Sequence, residues 1–202
     1  SNVISTIKDP DIITINDFLT ENLSKEIIRK HGKIDLICAN NVFAHINDMH
    51  DITRAIKLLL KPNGVFIFEV HYIGSLIDEV QYDMIYHEHI YYYSLITLQK
   101  FFSKFDFEIF NIKPIPIHGG SMRYYVRNIG KLIDKKISLK LLNLQKNEYS
   151  KGYNQKSTFI DYAKKVDITR KNLMNLLNKI KKEKKTIVGY GASGRANTLI
   201  QF

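Results

Sequence analysis

Tyr86-His87-Glu88-His89 puts a phenol, two imidazoles and a carboxylate in four consecutive positions, within a crowd of rings over residues 82–93. Side chains of these types move protons. An imidazole with an ordinary pKa of roughly 6.5 is largely neutral yet still basic at cell pH. The competing reading is a surface cluster of tyrosines and histidines. So much titratable chemistry in one short stretch exceeds what a solvated loop needs, and the stretch reads as a reaction centre.

The elements that must position it are those of a medium-sized domain. The chain has 202 residues, 45% of them hydrophobic, enough for one domain with a real core plus an appendage or part of a second. The single cysteine, Cys38, permits neither an internal disulfide nor a multi-cysteine zinc site, and fits a reducing, cytoplasmic setting. No apolar run approaches the roughly 20 residues that span a bilayer, and no signal-peptide pattern follows Ser1, so no membrane partner is expected. The net charge of +10 raises nucleic acid as a partner. Much of the excess, however, lies in lysine runs at 131–140 and 179–185, on helical patterns without interleaved aromatics. They read as solvated helix faces, and no nucleic acid is expected.

Along the chain, Ile12-Ile13-Thr14-Ile15 reads as a short buried strand, and Thr20 as the cap of a helix over 21–30. A second strand covers 34–39 and stops at Asn40-Asn41. The next helix, 48–60, carries Ile52, Ala55, Ile56 and Leu59 on one stripe and ends at Lys61-Pro62-Asn63-Gly64. Val65 opens a third, unbroken apolar strand over 65–70. Such runs alternating with amphipathic helices predict an α/β fold, a Rossmann-like, mostly parallel sheet covered on both faces. Further on, 76–80 reads as a helical turn and 95–104 as a helix with Leu98, Phe101 and Phe102 inward. Strands at 107–112 and 122–126 flank an irregular Pro114-Ile115-Pro116-Ile117-His118-Gly119-Gly120, and so close a connection predicts an antiparallel edge. Lysine-rich helix follows from about 132, including a long amphipathic stretch at 155–182. Thr186-Ile187-Val188 then reads as a strand feeding Gly189-Tyr190-Gly191-Ala192-Ser193-Gly194-Arg195.

Open parallel sheets bind ligands outside the carboxyl ends of their strands. Three strand ends here are polar: Asp17-Phe18, Asn40-Asn41 and residues 69–72. Asp17 is suited to accept from an adenine amino group while Phe18 packs on the base, and Asn40 or Asn41 to hold the polar end of a cofactor or substrate. Each alone is more often a helix or turn cap. Gly189, Gly191 and Ser193 would present backbone amides at a helix N-terminus, where anions bind.

Taken together, Asn40-Asn41-Val42-Phe43-Ala44-His45-Ile46, then Leu60-Lys61-Pro62-Asn63-Gly64, then the strand from Val65, resemble the second half of a class I S-adenosylmethionine-dependent methyltransferase. Residues 82–89 followed by Ile117-His118-Gly119-Gly120-Ser121-Met122-Arg123 resemble the C-methyltransferases of nucleotide-linked 4-keto-deoxysugars, whose C-terminal half carries a Gly-Tyr-Gly-Ala-Ser-type turn. The resemblance covers essentially the whole chain. It implies the C-terminal part of a methyltransferase domain at 1–130, a helical connection at 131–185 and the start of a nucleotide-binding domain at 186–202. The family's N-terminal zinc domain, glycine-rich cofactor turn and acidic ribose ligand are missing from this stretch, which therefore reads as a fragment. Zinc is expected only in that missing domain, and no metal site here.

The resemblance also implies the chemistry. Carbon methylation beside a ketone needs a base and a stabiliser for the enolate. It assigns the base to His89, with Tyr86, Glu88 and His45 lining the site; Glu88 would orient a sugar hydroxyl or His89, and Tyr86 or His45 would donate to the enolate oxygen. S-adenosylmethionine would meet Asp17, Phe18 and Asn40. The nucleotide sugar would meet Asn41, Ser121, Arg123 and the glycine turn, with Arg123 able to grip phosphate through two hydrogen bonds. His87 and His118 read as structural. Alternatives are methylation of another small molecule, a non-catalytic nucleotide-binding module, and a NAD-linked enzyme suggested by the late glycine turn.

Overall fold

Short polar caps set most helix starts. Thr20 accepts the Leu23 N–H at the head of α1 (Glu21–His31). Asp48 accepts from His50 and Asp51 at 2.9 Å at the head of α2 (Met49–Leu59). Ser94 and Thr97 form a reciprocal capping box on α4 (Leu95–Ser103). Each cap satisfies amides that the first helical turn leaves without partners. The computed structural model describes residues 9–132, 136–191 and 193–202. Residues 133–135 of the first lysine run and Ala192 of the late glycine turn lie outside the described residues, as do residues 1–8.

The chain continues through β1 (Ile34–Asn40), β2 (Leu60–His71), α3 (Ile73–Asp78), β3 (Phe107–Ile115), β4 (Ser121–Asn128), α5 (Leu139–Ser150), α6 (Lys156–Lys182) and α7 (Gly194–Gln201). The four strands form one sheet in the order β1-β2-β4-β3. β1 and β2 run parallel, and β4 and β3 make an antiparallel edge two strands deep. The molecule is α/β, as the alternation of runs and helices predicts. One boundary moves: β2 starts at Leu60, because Lys61-Pro62-Asn63-Gly64 loops out of a ladder that resumes with Leu36 opposite Val65.

The sheet buries one face far better than the other. Phe66, Phe68 and Val70 of β2 alternate onto the core side, at the period-2 spacing of a strand, with Tyr124 of β4, Phe43 and Phe102. Phe68 lies 4.9 Å from Phe43 and 5.0 Å from Tyr124 between ring centres. On the opposite face Val65 and Ile67 are half-buried, and Leu36 and Cys38 beside them on β1 are exposed. The expectation of a sheet covered on both faces is therefore met on one side only among the described residues.

Two predicted strands do not form. Residues 12–15 make no strand, and Ile12, Ile13 and Ile15 are exposed. Residues 186–188 are likewise irregular, with Ile187 and Val188 exposed. An apolar run becomes a strand only when a neighbouring ladder takes up its backbone groups. Neither run has one among the described residues.

One polar contact outside the sheet fixes how the helices sit. Glu148 of α5, fully buried, accepts from the Leu95 and Ile96 amides at 2.8 and 2.9 Å and from the Tyr72 hydroxyl at 2.8 Å. One carboxylate thereby caps α4, anchors α5 and holds the end of β2, next to the residues described below.

Candidate active site

The ring-rich segment is stitched to the turn that follows β1. Asn41 adopts φ +53 and gives its N–H to the Glu69 carbonyl, and a 3₁₀ turn over Phe43–His45 follows. Ile90 donates its amide to Ala44 O at 2.9 Å, the Tyr93 hydroxyl reaches Phe43 O at 2.8 Å, and the Tyr91 hydroxyl reaches Asn47 O at 3.1 Å. Tyr92 bonds Met84 O. These three tyrosines therefore serve as ties. Tyr86 differs, since its hydroxyl lies 3.1 Å from His89 Nε2 across a turn closed by the His89 N–H on Tyr86 O.

The stitching gathers His45 and His89 on one cleft of about 160 Å³, with ring centres 5.1 Å apart. Asn41, Ala44, Val70, His71, Met84, Tyr86, His118 and Arg195 complete its lining. Hydrogen bonds to carbonyls decide the tautomers, since a carbonyl only accepts. His45 Nδ1 is 2.8 Å from Glu88 O and carries the hydrogen, so its Nε2 is the acceptor in the neutral ring. His89 Nδ1 faces Met84 O at 3.3 Å, which leaves Nε2 to accept from Tyr86. Burial, and secondarily the neighbouring His45, hold the His89 pKa below the ordinary histidine value and favour the neutral, basic ring.

Several expected roles change. Glu88 contributes its backbone carbonyl, which orients His45; its side chain is exposed and does not line the cleft. With its Nδ1 hydrogen committed to Glu88 O, the His45 ring in its neutral form would offer an enolate oxygen only the Nε2 lone pair. Arg123 does not reach the cleft: its Nε and Nη2 both hold Glu69 Oε2, at 3.0 and 2.8 Å, across the β2–β4 ladder. Burial of the Glu69 carboxylate demands that partner. Ser121 is buried and donates to Ile117 O, also away from the cleft.

The other expected ligands lie on open surface. Phe18 is 87% exposed, the exposed Asp17 carboxylate accepts the Phe18 N–H, and Asn40 is exposed at the end of β1. Their chemistry fits an adenosyl group: an acceptor, an uncovered ring face and an amide. Gly189, Gly191 and Ser193 are exposed ahead of α7, and the Ser193 side chain makes no capping bond. Of the expected substrate ligands, only Asn41 lines the cleft.

Three polar cleft residues lie outside the expected site residues: His71, His118 and Arg195. His71 stands within the polar strand end at 69–72, on the ligand-binding edge of the sheet. His118, expected to be structural, reaches the cleft beside the tight Gly119-Gly120 turn; both glycines have positive φ, and a Cβ on Gly119 would meet the Gln81 amide at 2.8 Å. Arg195 arrives because α7 packs on the 3₁₀ turn Tyr82–Met84, where Arg195 Nη2 pairs with Asp83. No local pattern could have announced that contact.

Residues 7–112, more than half of the chain, match the family described as "Methyltransferase domain". The chain belongs to that methyltransferase family. Residues 116–202 match "C-methyltransferase C-terminal domain". A curated relative, C-methyltransferase NovU of Streptomyces niveus, is 28% identical over 199 residues, 98% of this chain. The chain spans 47% of that relative's length. Among solved structures, a SAM-dependent methyltransferase from Anabaena variabilis is similar over 61% of each chain, with 14% identity and a TM-score of 0.45. M1.HpyAVI is similar over 55% of this chain and 51% of its own, with 12% identity and a TM-score of 0.34. Among the described residues no helix is long and apolar enough to cross a membrane, and no three His, Cys, Asp or Glu side chains gather as a metal-binding group.

Proposed function

We propose that the full-length protein is an S-adenosylmethionine-dependent C-methyltransferase that acts on a nucleotide-linked 4-keto-deoxysugar. The observation that carries this reading is the convergence of Tyr86, His89 and His45 on one cleft, with His89 held neutral. Similarity to the C-methyltransferase C-terminal domain and to C-methyltransferase NovU supports carbon as the atom methylated.

Neutral His89 is the base. Its Nε2 takes the proton from the carbon beside the ketone, and the electrons of that C–H bond pass into the enolate. The Tyr86 hydroxyl, which rests on Nε2 at 3.1 Å, turns to give its hydrogen to the developing enolate oxygen. One rotation thus uncovers the base and supplies the oxyanion donor. His45 keeps its hydrogen on Glu88 O and presents an acceptor to the cleft. S-adenosylmethionine, when bound, supplies an electrophilic sulfonium methyl for the enolate carbon. Asp17, Phe18 and Asn40 would hold it by the chemistry noted above. Asn41 serves the sugar, and the amides of Gly189, Gly191 and Ser193 serve the diphosphate, in what we read as the start of a nucleotide-binding domain.

The test is methyl transfer by the full-length protein, with ¹³C-methyl-labelled cofactor and nucleotide-linked 4-keto-deoxysugars. The expected product shows a new carbon-bound methyl by NMR. Methylation at oxygen or nitrogen, or none with any keto-sugar, overturns the reading.

A further inference from the structure

Two residues that line the cleft each carry a buried polar atom of opposite character with no partner among the described residues: His71 Nδ1 and Arg195 Nε. Groups of that kind are costly to bury unpaired, so their presence on residues of one cleft calls for something to pair them.

The character of His71 follows from its neighbours. The Gln81 amide nitrogen donates to Glu79 Oε2 at 2.6 Å and to Gly119 O at 2.7 Å, which turns the Gln81 oxygen toward His71 Nε2 at 3.0 Å. An amide oxygen only accepts, so Nε2 carries the hydrogen and Nδ1 is left with a lone pair. Burial, with lesser contributions from Arg195 and His118, lowers the His71 pKa and keeps that lone pair available. Arg195 is the converse. Its Nη2 is tied to Asp83, and the orphaned Nε–H can only donate.

We propose that His71 and Arg195 form a specificity pair, in which His71 Nδ1 accepts from a hydroxyl of the bound substrate and Arg195 Nε donates to an oxygen acceptor near that hydroxyl. The inference rests on the cleft being the substrate site of the proposed reaction. It adds a ligand class: a substrate with a donor hydroxyl close to an acceptor oxygen, as in a hydroxy-ketone. A carbonyl or phosphate oxygen against Nδ1 would set two lone pairs against each other. A deoxygenated analogue would leave Nδ1 unpaired, and sites that bind a hydroxyl through buried groups discriminate strongly against analogues that lack it.

The experiment uses full-length protein with ¹⁵N-labelled histidine and a panel of nucleotide-linked keto-deoxysugars that carry or lack the hydroxyl adjacent to the ketone. Without ligand, His71 is expected as the neutral Nε2–H tautomer at pH 7; an Nδ1–H tautomer or an imidazolium overturns the assignment whatever the substrate. On titration, the Nδ1 resonance is expected to move with hydroxylated compounds and not with deoxygenated ones. An unmoved resonance with every compound overturns it too. In turnover, the wild type should favour the hydroxylated substrate by about tenfold or more in kcat/KM. His71→Leu should lose that preference, and His71→Asn, whose amide oxygen stands near the position of Nδ1, should recover part of it. A His71→Leu enzyme with undiminished preference removes His71 from the pair. If His71→Leu fails to fold, the asparagine variant and the wild-type resonance still decide. Failure of the underlying reading looks different. There the wild type methylates no keto-sugar, and the Nδ1 resonance alone upholds or overturns the pair.

Discussion

The Tyr86 hydroxyl sits 3.1 Å from His89 Nε2, so the proposed base and the proposed oxyanion donor form one hydrogen-bonded unit before any substrate arrives. The unit is built by a single turn and aimed by burial of the His89 ring between Met84 O and His45. Its parts should be separable by mutation. His89→Asn should lower kcat by about 10²–10⁴-fold, the usual contribution of a positioned general base. Tyr86→Phe removes only the donor and should cost less, about tenfold to a hundredfold. Steady-state methyl transfer by the full-length protein measures both, and a His89→Asn enzyme with normal turnover would remove His89 from this role.

The pH dependence of the reaction should carry the signature of His89. Burial and then His45 lower its pKa, so the basic form persists below the ordinary value of 6.5, and the acid limb of kcat/KM should lie below that value. His45→Gln removes the imidazole whose electrostatic influence lowers the His89 pKa, so that pKa rises and the acid limb should move to higher pH. A limb that stays in place would show that His45 has no electrostatic influence on the base.

Histidines removed from solvent in the fold also affect stability. His71 and His89 both have folded pKa values below 6.5, so the unfolded chain takes up protons first as pH falls through 6.5. Above that pH both states are neutral at these sites and neither residue adds pH dependence. Below it, stability should fall. Urea unfolding between pH 7.5 and 5 checks this, and the loss should shrink in a His71→Asn, His89→Asn double variant.

Glu148 should be the most damaging single site outside the cleft. Its carboxylate serves three donors, the Leu95 and Ile96 amides and the Tyr72 hydroxyl. Glu148→Ala leaves all three in a buried void and should cost on the order of 3 kcal/mol or more. Glu148→Gln keeps the volume and much of the acceptor, and should cost about 1 kcal/mol. Burial raises the Glu148 pKa, so the folded state holds its proton to higher pH than the unfolded chain does. Its contribution to stability should therefore decline as pH rises from 4.5 through the raised folded value, and the glutamine variant should lack that slope.

Arg123 is expected to matter for the sheet. With two nitrogens on the buried Glu69 carboxylate, its removal strands a charge between β2 and β4. Arg123→Ala should lower Tm clearly, and Arg123→Ala with Glu69→Gln should recover much of the loss. A diphosphate-binding Arg123 would instead show normal Tm in the single variant and a raised KM.

Much of this protein is determined by its sequence alone, because the signals are local. The caps at Thr20, Asp48 and Ser94, the apolar alternation of Phe66, Phe68 and Val70, and the hydrogen-bonded turn of Tyr86 and His89 all act within a few residues. Strand formation at residues 12–15 and 186–188 is not local. An isoleucine-rich run has strand propensity, but its backbone needs a neighbour, and only the tertiary structure decides whether one is present. The same holds for the direction of polar side chains. Arg123 carries the right group for a phosphate, yet the register of β2 against β4 sets it opposite Glu69, and Coulomb attraction to a buried carboxylate settles its partner. His71, His118 and Arg195 join the cleft only because β2, the Gly119-Gly120 turn and α7 meet there. Chemistry written in consecutive residues can be read before folding. Chemistry assembled from the ends of three distant elements exists only once packing has brought them together.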